Sequence, residues 1–265
     1  MIVSQETAVP ENPSPVLPEL PDEAARLAAL ADARGVRMRL LGGVAIQLLL
    51  GDRMPSSLRR RSDDLDYLTD RSAARDVEAL LAEAGWEGDR QFNALNGARR
   101  LIFHEPAYGH KIDVFVESFE MCHSLPLADR LDVTPTTLPA AELTLTKLQV
   151  VTLNPKDQND LYALLAVLPV ADHDDDAINA ERIAALAARD WGLHHTLELN
   201  LERLQTGLAA SGLTGDHLHR IGQGITALRE AIEAAPKSRG WKLRAKIGER
   251  KRWYELPEEV DRDVA

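Results

Sequence analysis

Cysteine is nearly absent. Cys122 is the only one in 265 residues, so no disulfide can form within the chain, and no Cys/His spacing resembles a zinc site. A lone thiol with no activating pattern beside it reads as a packing residue rather than a nucleophile. Long hydrophobic runs are lacking too: no stretch of about 18 apolar residues exists to span a bilayer. The first residues, with Glu6, Glu11 and several prolines, have neither the basic nor the apolar region of a signal peptide. These absences lead to the expectation of a cytoplasmic protein with no membrane partner. Positive charge is in deficit, 31 Lys and Arg against 42 Asp and Glu, and the net charge of −11 argues against a general nucleic-acid coat. No internal repeat is evident. The length admits one large domain or two ordinary ones, with a hydrophobic fraction normal for a globular chain.

What is present centres on Arg61-Ser62-Asp63-Asp64-Leu65-Asp66-Tyr67-Leu68. Asp64 and Asp66 stand two apart in a short apolar run, the alternation of a half-buried strand, so both carboxylates face one side. Along a strand they lie roughly 6.5 Å apart, since each residue advances ~3.3 Å. Asp113, between Ile112 and Val114, sits in a second run with strand character. Neighbouring strands are only ~4.8 Å apart, which would let the three aspartates converge. Two like charges ~4 Å apart repel by about 4 kcal/mol at an effective dielectric of 20, so such a cluster holds a proton or binds metal. Oxygen ligands without histidine or cysteine favour Mg2+ or Mn2+, whose chemistry is phosphoryl or nucleotidyl transfer from an NTP. Gly42-Gly43, ahead of a helix, would let backbone N–H groups approach phosphate. Arg59-Arg60-Arg61 would either neutralise nucleotide phosphates or balance Asp63, Asp64 and Asp66.

In chain order, residues 1–20 read as a proline-containing disordered tail. A helix over 21–34 stops at Gly35; a strand over 36–41, a turn at Gly42-Gly43 and a helix over 44–50 follow. After the Asp64 strand comes a helix over 72–84. Strands over 91–95 and 98–104 flank Asn96-Gly97, a strong hairpin signal, and 110–116 is the strand of Asp113. Beyond 124 the pattern turns helical, with helices over 140–153, 156–168, 178–189, 193–208 and 217–234. Residues 172–176, with four aspartates, read as a loop supplying an N-cap. The expected fold is therefore α+β: an N-terminal mixed sheet with flanking helices over 21–124, then a C-terminal helical bundle over 125–265. The segment 237–252 gathers eight Lys and Arg residues against Glu249, flanked by Trp241 and Trp253. It reads either as an RNA-contacting patch or as a solvated face docked on an acidic body.

Leu41-Gly42-Gly43-Val44-Ala45, then Arg61 to Thr69, then Ile112-Asp113-Val114 resemble the nucleotidyltransferase superfamily, the polymerase-β-like fold. Within it the chain looks most like the AbiEii-like branch, which includes toxins of toxin–antitoxin systems; its Arg-Ser/Thr-x-Asp-Leu/Ile-Asp-Phe sequence is matched by Arg61 to Tyr67 with Tyr for Phe. Lys147 in Leu143-Thr144-Leu145-Thr146-Lys147-Leu148 and the pair Asp157 and Asp160 in Lys156-Asp157-Gln158-Asn159-Asp160-Leu161 also match. The resemblance covers residues 36–165. It implies a catalytic set of Asp64, Asp66, Asp113, Lys147 and Asp160, with Asp64, Asp66 and Asp113 on the metal and Gly42, Gly43, Arg61, Ser62 and Asp157 around the nucleotide. It also implies transfer of an NMP from an NTP such as ATP to a hydroxyl acceptor. RNA such as the tRNA 3′ end is one candidate acceptor, and a small aminoglycoside-like molecule another. A toxin would bring an antitoxin as partner. The rival class is a non-catalytic relative that keeps the fold for interaction or regulation. Nothing in the motif assigns Asp63.

Overall fold

The computed structural model describes residues 16–256. Of the expected 1–20 tail, residues 1–15 lie outside the described residues, while Val16 and Leu20 are buried in the core. Helix α1 (Leu20–Arg34) buries Leu20, Glu23, Ala24, Leu27 and Ala31, a stripe of helical period, and ends at Gly35 with φ 64°. An isolated helix of this length is marginal in water, so the buried stripe holds it. Strand β1 (Met38–Leu41) runs directly into α2 (Gly42–Leu50), which starts at Gly42 rather than after a glycine turn. Strand β2 (Asp64–Thr69) follows, then α3 (Ala74–Glu83), the two-residue strand β3 (Glu87–Gly88) and α4 (Arg90–Asn96).

Helix α4 replaces the first arm of the expected hairpin. Asp89 caps it by accepting from the Phe92 N–H at 2.9 Å, and Asn93 ties it to the sheet by bonding both the N–H and the C=O of Ile102. Asn96-Gly97 therefore ends a helix instead of turning a hairpin. The hairpin that does form joins β4 (Arg100–Glu105) to β5 (His110–Val116), with Glu105 accepting from the N–H groups of Ala107 and Tyr108 in the turn.

These strands make one five-stranded sheet in the order β1-β2-β5-β4-β3. Only β2 and β5 pair in parallel, and their register sets Asp66 opposite Asp113 and Asp64 opposite Lys111. Leu65, Tyr67, Ile112 and Val114 point the other way and are fully buried. Tyr67 lies close to Glu23 and Arg26 of α1, which packs across β1 and β2. Trp86, leading into β3, is also buried and donates its indole N–H to Glu23 at 2.9 Å. A small ribbon of β6 (Ser118–Glu120) and β7 (Ser124–Pro126), not expected from the sequence, leads out of the sheet.

The helical half follows the sequence reading closely: α5 (Ala140–Leu148), α6 (Pro155–Val167), α7 (Ala180–Ala187), α8 (Trp191–Leu208) and α9 (Gly215–Ala234). Helix α5 is its axis, packing against α2, α6, α7 and α8. Thr144 and Thr146 on it bond backbone carbonyls, and buried Glu142 accepts from Arg130 and Arg182 through Oε1 alone, leaving its buried Oε2 without a hydrogen bond. The acidic loop 172–176 does not cap α7; Asn179 does, accepting from the Arg182 N–H, while Asp174 pairs with Arg130 and Asp176 with Arg53. A further helix, α10 (Arg239–Ile247), occupies the basic segment. Trp241 donates to the Ala187 carbonyl, and Trp253 donates to Thr196 and packs edge-on to Trp191 and His195. Both indoles are thereby committed to the body of the protein. Buried apolar residues from Val16 to Ile232 form one continuous cluster through both halves.

Candidate active site

A cleft opens over the β2–β5 pair, walled by Leu41, Gly42 and Gly43 on one side and by Lys147, Asn154 and Asp157 on the other. On its floor, oxygen atoms of Asp64, Asp66 and Asp113 all lie within 4.8 Å of one another. The register explains the convergence: Asp64 and Asp66 share a face of β2, and parallel pairing puts Asp113 beside Asp66 on that same face. Burial, then the neighbouring charges of Asp64 and Asp113, push the Asp66 carboxyl up to about 8, with Lys147 and Lys111 pulling the other way. The metal-free cluster thus keeps a proton at neutral pH. Three oxygen donors of this kind, with that excess of negative potential, suit a hard divalent cation.

The glycines fit closely around these groups. Gly42 has φ 76°, and a Cβ there would lie 2.2 Å from Asp66 Oδ2. At Gly43 the added atom would meet Arg60 Nη2 at 2.5 Å and Ser62 Oγ at 2.7 Å. Both side-chain positions are therefore reserved for the cleft. The α2 N-terminus they form points free backbone donors and the positive end of a dipole to this region.

Of the three consecutive arginines, the cleft takes Arg60. Its Nε and Nη2 donate to the two oxygens of Asp160 at 2.9 and 2.7 Å, and Gln47 holds its backbone carbonyl at 2.7 Å. Arg61 points outward with its side chain 88% exposed, 3.8 Å from Glu19. Lys147 bonds Asp157 at 2.8 Å and Asp160 at 3.1 Å. Burial opposes its charge, but Asp157, Asp160 and then Asp66 outweigh that and hold the ammonium above its ordinary range. Asp157 is fixed in turn by the cap residue Asn154, which accepts from its N–H and donates to its Oδ2. Asp63 pairs with Lys156 at 2.9 Å across the cleft mouth.

Sequence reasoning missed Arg100 and Lys111. Arg100 donates through Nε to Asp113 Oδ1 at 2.9 Å and pairs through Nη2 with the same oxygen at 2.7 Å, and Lys111 reaches Oδ2 at 2.7 Å. The alternation that placed Asp113 also places Lys111 two residues earlier on the same face, a signal available in the sequence. For Arg100 there was none, because its strand was expected to pair across Asn96-Gly97.

No family model matches the chain, and no curated protein matches it in sequence. Among solved structures, it is similar to the crystal structure of an antigenic nucleotidyltransferase-like protein from Paracoccidioides brasiliensis. That likeness carries 16% identity and a TM-score of 0.40 over 84% of this chain and 95% of the other.

Proposed function

We propose that the cleft is the active site of a metal-dependent nucleotidyltransferase. The observation that carries this reading is the convergence of Asp64, Asp66 and Asp113 within 4.8 Å beside a glycine-opened helix N-terminus. Bound Mg2+ or Mn2+ would hold the triphosphate and stabilise departing pyrophosphate. Asp64, Asp66 and Asp113 supply the oxygen ligands. Asp113 also orients the acceptor hydroxyl and draws off its proton as the new bond to the α-phosphorus forms and the bond to the bridging oxygen breaks. Gly42 and Gly43 leave the α2 N–H groups open to phosphate, with Ser62 beside them. Lys147, kept charged by Asp157 and Asp160, brings an ammonium to the opposite wall that can meet the developing charge. Arg60, not Arg61, is the guanidinium in position to support that wall. Calorimetric titration of ATP, GTP, CTP and UTP with Mg2+ tests the site. Binding of one or more that disappears in an Asp64→Asn/Asp66→Asn variant is expected, and binding that survives in the variant would defeat the assignment.

RNA is the acceptor best supported. Arg239, Lys242, Lys246, Arg250, Lys251 and Arg252 are exposed, and the chain after them returns to the cleft rim, where the Glu255 N–H bonds the Cys122 carbonyl beside Met121. These side chains would meet the phosphate backbone rather than the bases, since the two indoles are docked elsewhere. Neutralising Lys242, Lys246 and Arg250 together is expected to lower the salt slope of RNA binding by about 0.7 for each phosphate no longer neutralised. An unchanged slope in a filter-binding titration would assign the acceptor to another class.

A further inference from the structure

Asp113 meets the other aspartates with both of its oxygens already engaged. Arg100 Nε donates to Oδ1 at 2.9 Å with Nη2 in an ion pair to the same oxygen at 2.7 Å, and Lys111 Nζ lies 2.7 Å from Oδ2. A cation that shares Asp113 with Asp64 and Asp66 must therefore compete with these two positive partners for the carboxylate's charge. The two are not equally free to give way. The Arg100 guanidinium lies 5.2 Å from the Phe115 ring centroid and 6.0 Å from that of Phe92, and its side chain is 20% exposed. Its planar fork is held by two rings and by one hydrogen bond and one ion pair to a single oxygen. Lys111 is a compact ammonium on a flexible stem, 28% exposed, and the structure gives its Nζ an ion pair with Asp113.

Its destination follows from where the stem is rooted. Lys111 stands opposite Asp64 in the parallel register and lines the cleft, so an ammonium released from Asp113 stays on the cleft floor. The other lysines there are more firmly occupied or lie farther out. Lys147 is held by two carboxylates, and Lys156 is 63% exposed at the mouth.

We propose that Lys111 is an exchangeable counter-ion: it neutralises Asp113 before the metal arrives, gives up the carboxylate to the metal, and passes to the phosphates of the bound nucleotide. This deepens, and rests on, the metal and nucleotide reading above. It makes Lys111 a competitor of one ligand and a partner of the next, a combination that a merely structural lysine lacks.

The test measures two affinities in purified wild type, Lys111→Met and Lys111→Gln, with circular dichroism confirming that each is folded. Mn2+ binding without nucleotide is followed by the free-ion paramagnetic resonance signal, and triphosphate binding at saturating Mn2+ by calorimetry. Both variants are expected to bind Mn2+ about tenfold more tightly and triphosphate about tenfold more weakly. Weakening of both affinities would make Lys111 only a support for the Asp113 carboxylate and overturn the exchange. Unchanged affinities would overturn it as well. If wild type takes up neither Mn2+ nor triphosphate, the metal and nucleotide reading itself falls and the exchange falls with it. Wild-type binding beside indifferent variants removes the exchange alone.

Discussion

Under the proposed function, Asp66→Asn is expected to lower nucleotidyl transfer by about 10³-fold or more, because it removes an oxygen that would hold the metal. The same substitution is expected to make the metal-free protein more stable at pH 8. An aspartate held at about 8 in the fold, against 3.8 when unperturbed, favours the folded state less and less as pH rises. Below about pH 4 both states carry the proton and nothing is lost. Between about 4 and 8 the unfolded chain releases the proton while the folded one retains it, so stability falls by up to ~1.4 kcal/mol per pH unit. Above 8 the loss is complete and constant. Asparagine carries no titrating proton, so the variant lacks this slope. Urea unfolding in EDTA at pH 5, 6, 7 and 8 would show it: equal slopes in wild type and variant would contradict the electrostatic picture of the cluster. Added Mg2+ should restore wild-type stability most strongly at the alkaline end, where it competes with the fewest protons.

Gly42→Ala is the second change with a large expected effect. The new Cβ would fall 2.2 Å from Asp66 Oδ2 on a backbone with φ 76°. Left-handed backbone with a side chain costs roughly 1–2 kcal/mol. The atom it would meet is the carboxylate that the proposed site uses, so any shift that relieves the clash moves that carboxylate. Metal affinity is expected to drop by about 10²-fold, on the scale that loss of supporting groups costs metal sites. Gly43→Ala gives the contrast. Its backbone is ordinary, and the new atom would press on Arg60 and Ser62 instead, so nucleotide binding should weaken by about tenfold with Mn2+ affinity nearly intact. A pair of variants with indistinguishable metal affinities would show that the close approach of Gly42 to Asp66 does not matter to the ion.

Much of the architecture was legible because it rests on short-range patterning. Alternation around Asp64, Asp66 and Asp113 located the two strands of the cleft, and apolar spacing located α5 to α9 within a few residues. Features fixed by distant partners were not. Arg60 and Arg61 are neighbours of identical chemistry, and what separates them is Asp160, a hundred residues on, which draws one guanidinium into the cleft. Asn96-Gly97 carries a hairpin signal that Asp89 and Asn93 override by capping and docking a helix. The basic segment shows net charge plainly, yet the positions of Trp241 and Trp253 depend on α7 and α8 and could not be read locally.

The placement of those indoles also determines how the molecule can be watched. Of the four tryptophans in the chain, Trp191, Trp241 and Trp253 gather where α10 meets α8, and Trp86 alone sits beneath the sheet. Fluorescence emission is therefore dominated by the clasp that holds the C-terminal segment. A change in emission on adding ligand would report movement of that clasp rather than occupancy of the aspartates. Following the sheet optically requires a protein in which Trp86 is the sole emitter.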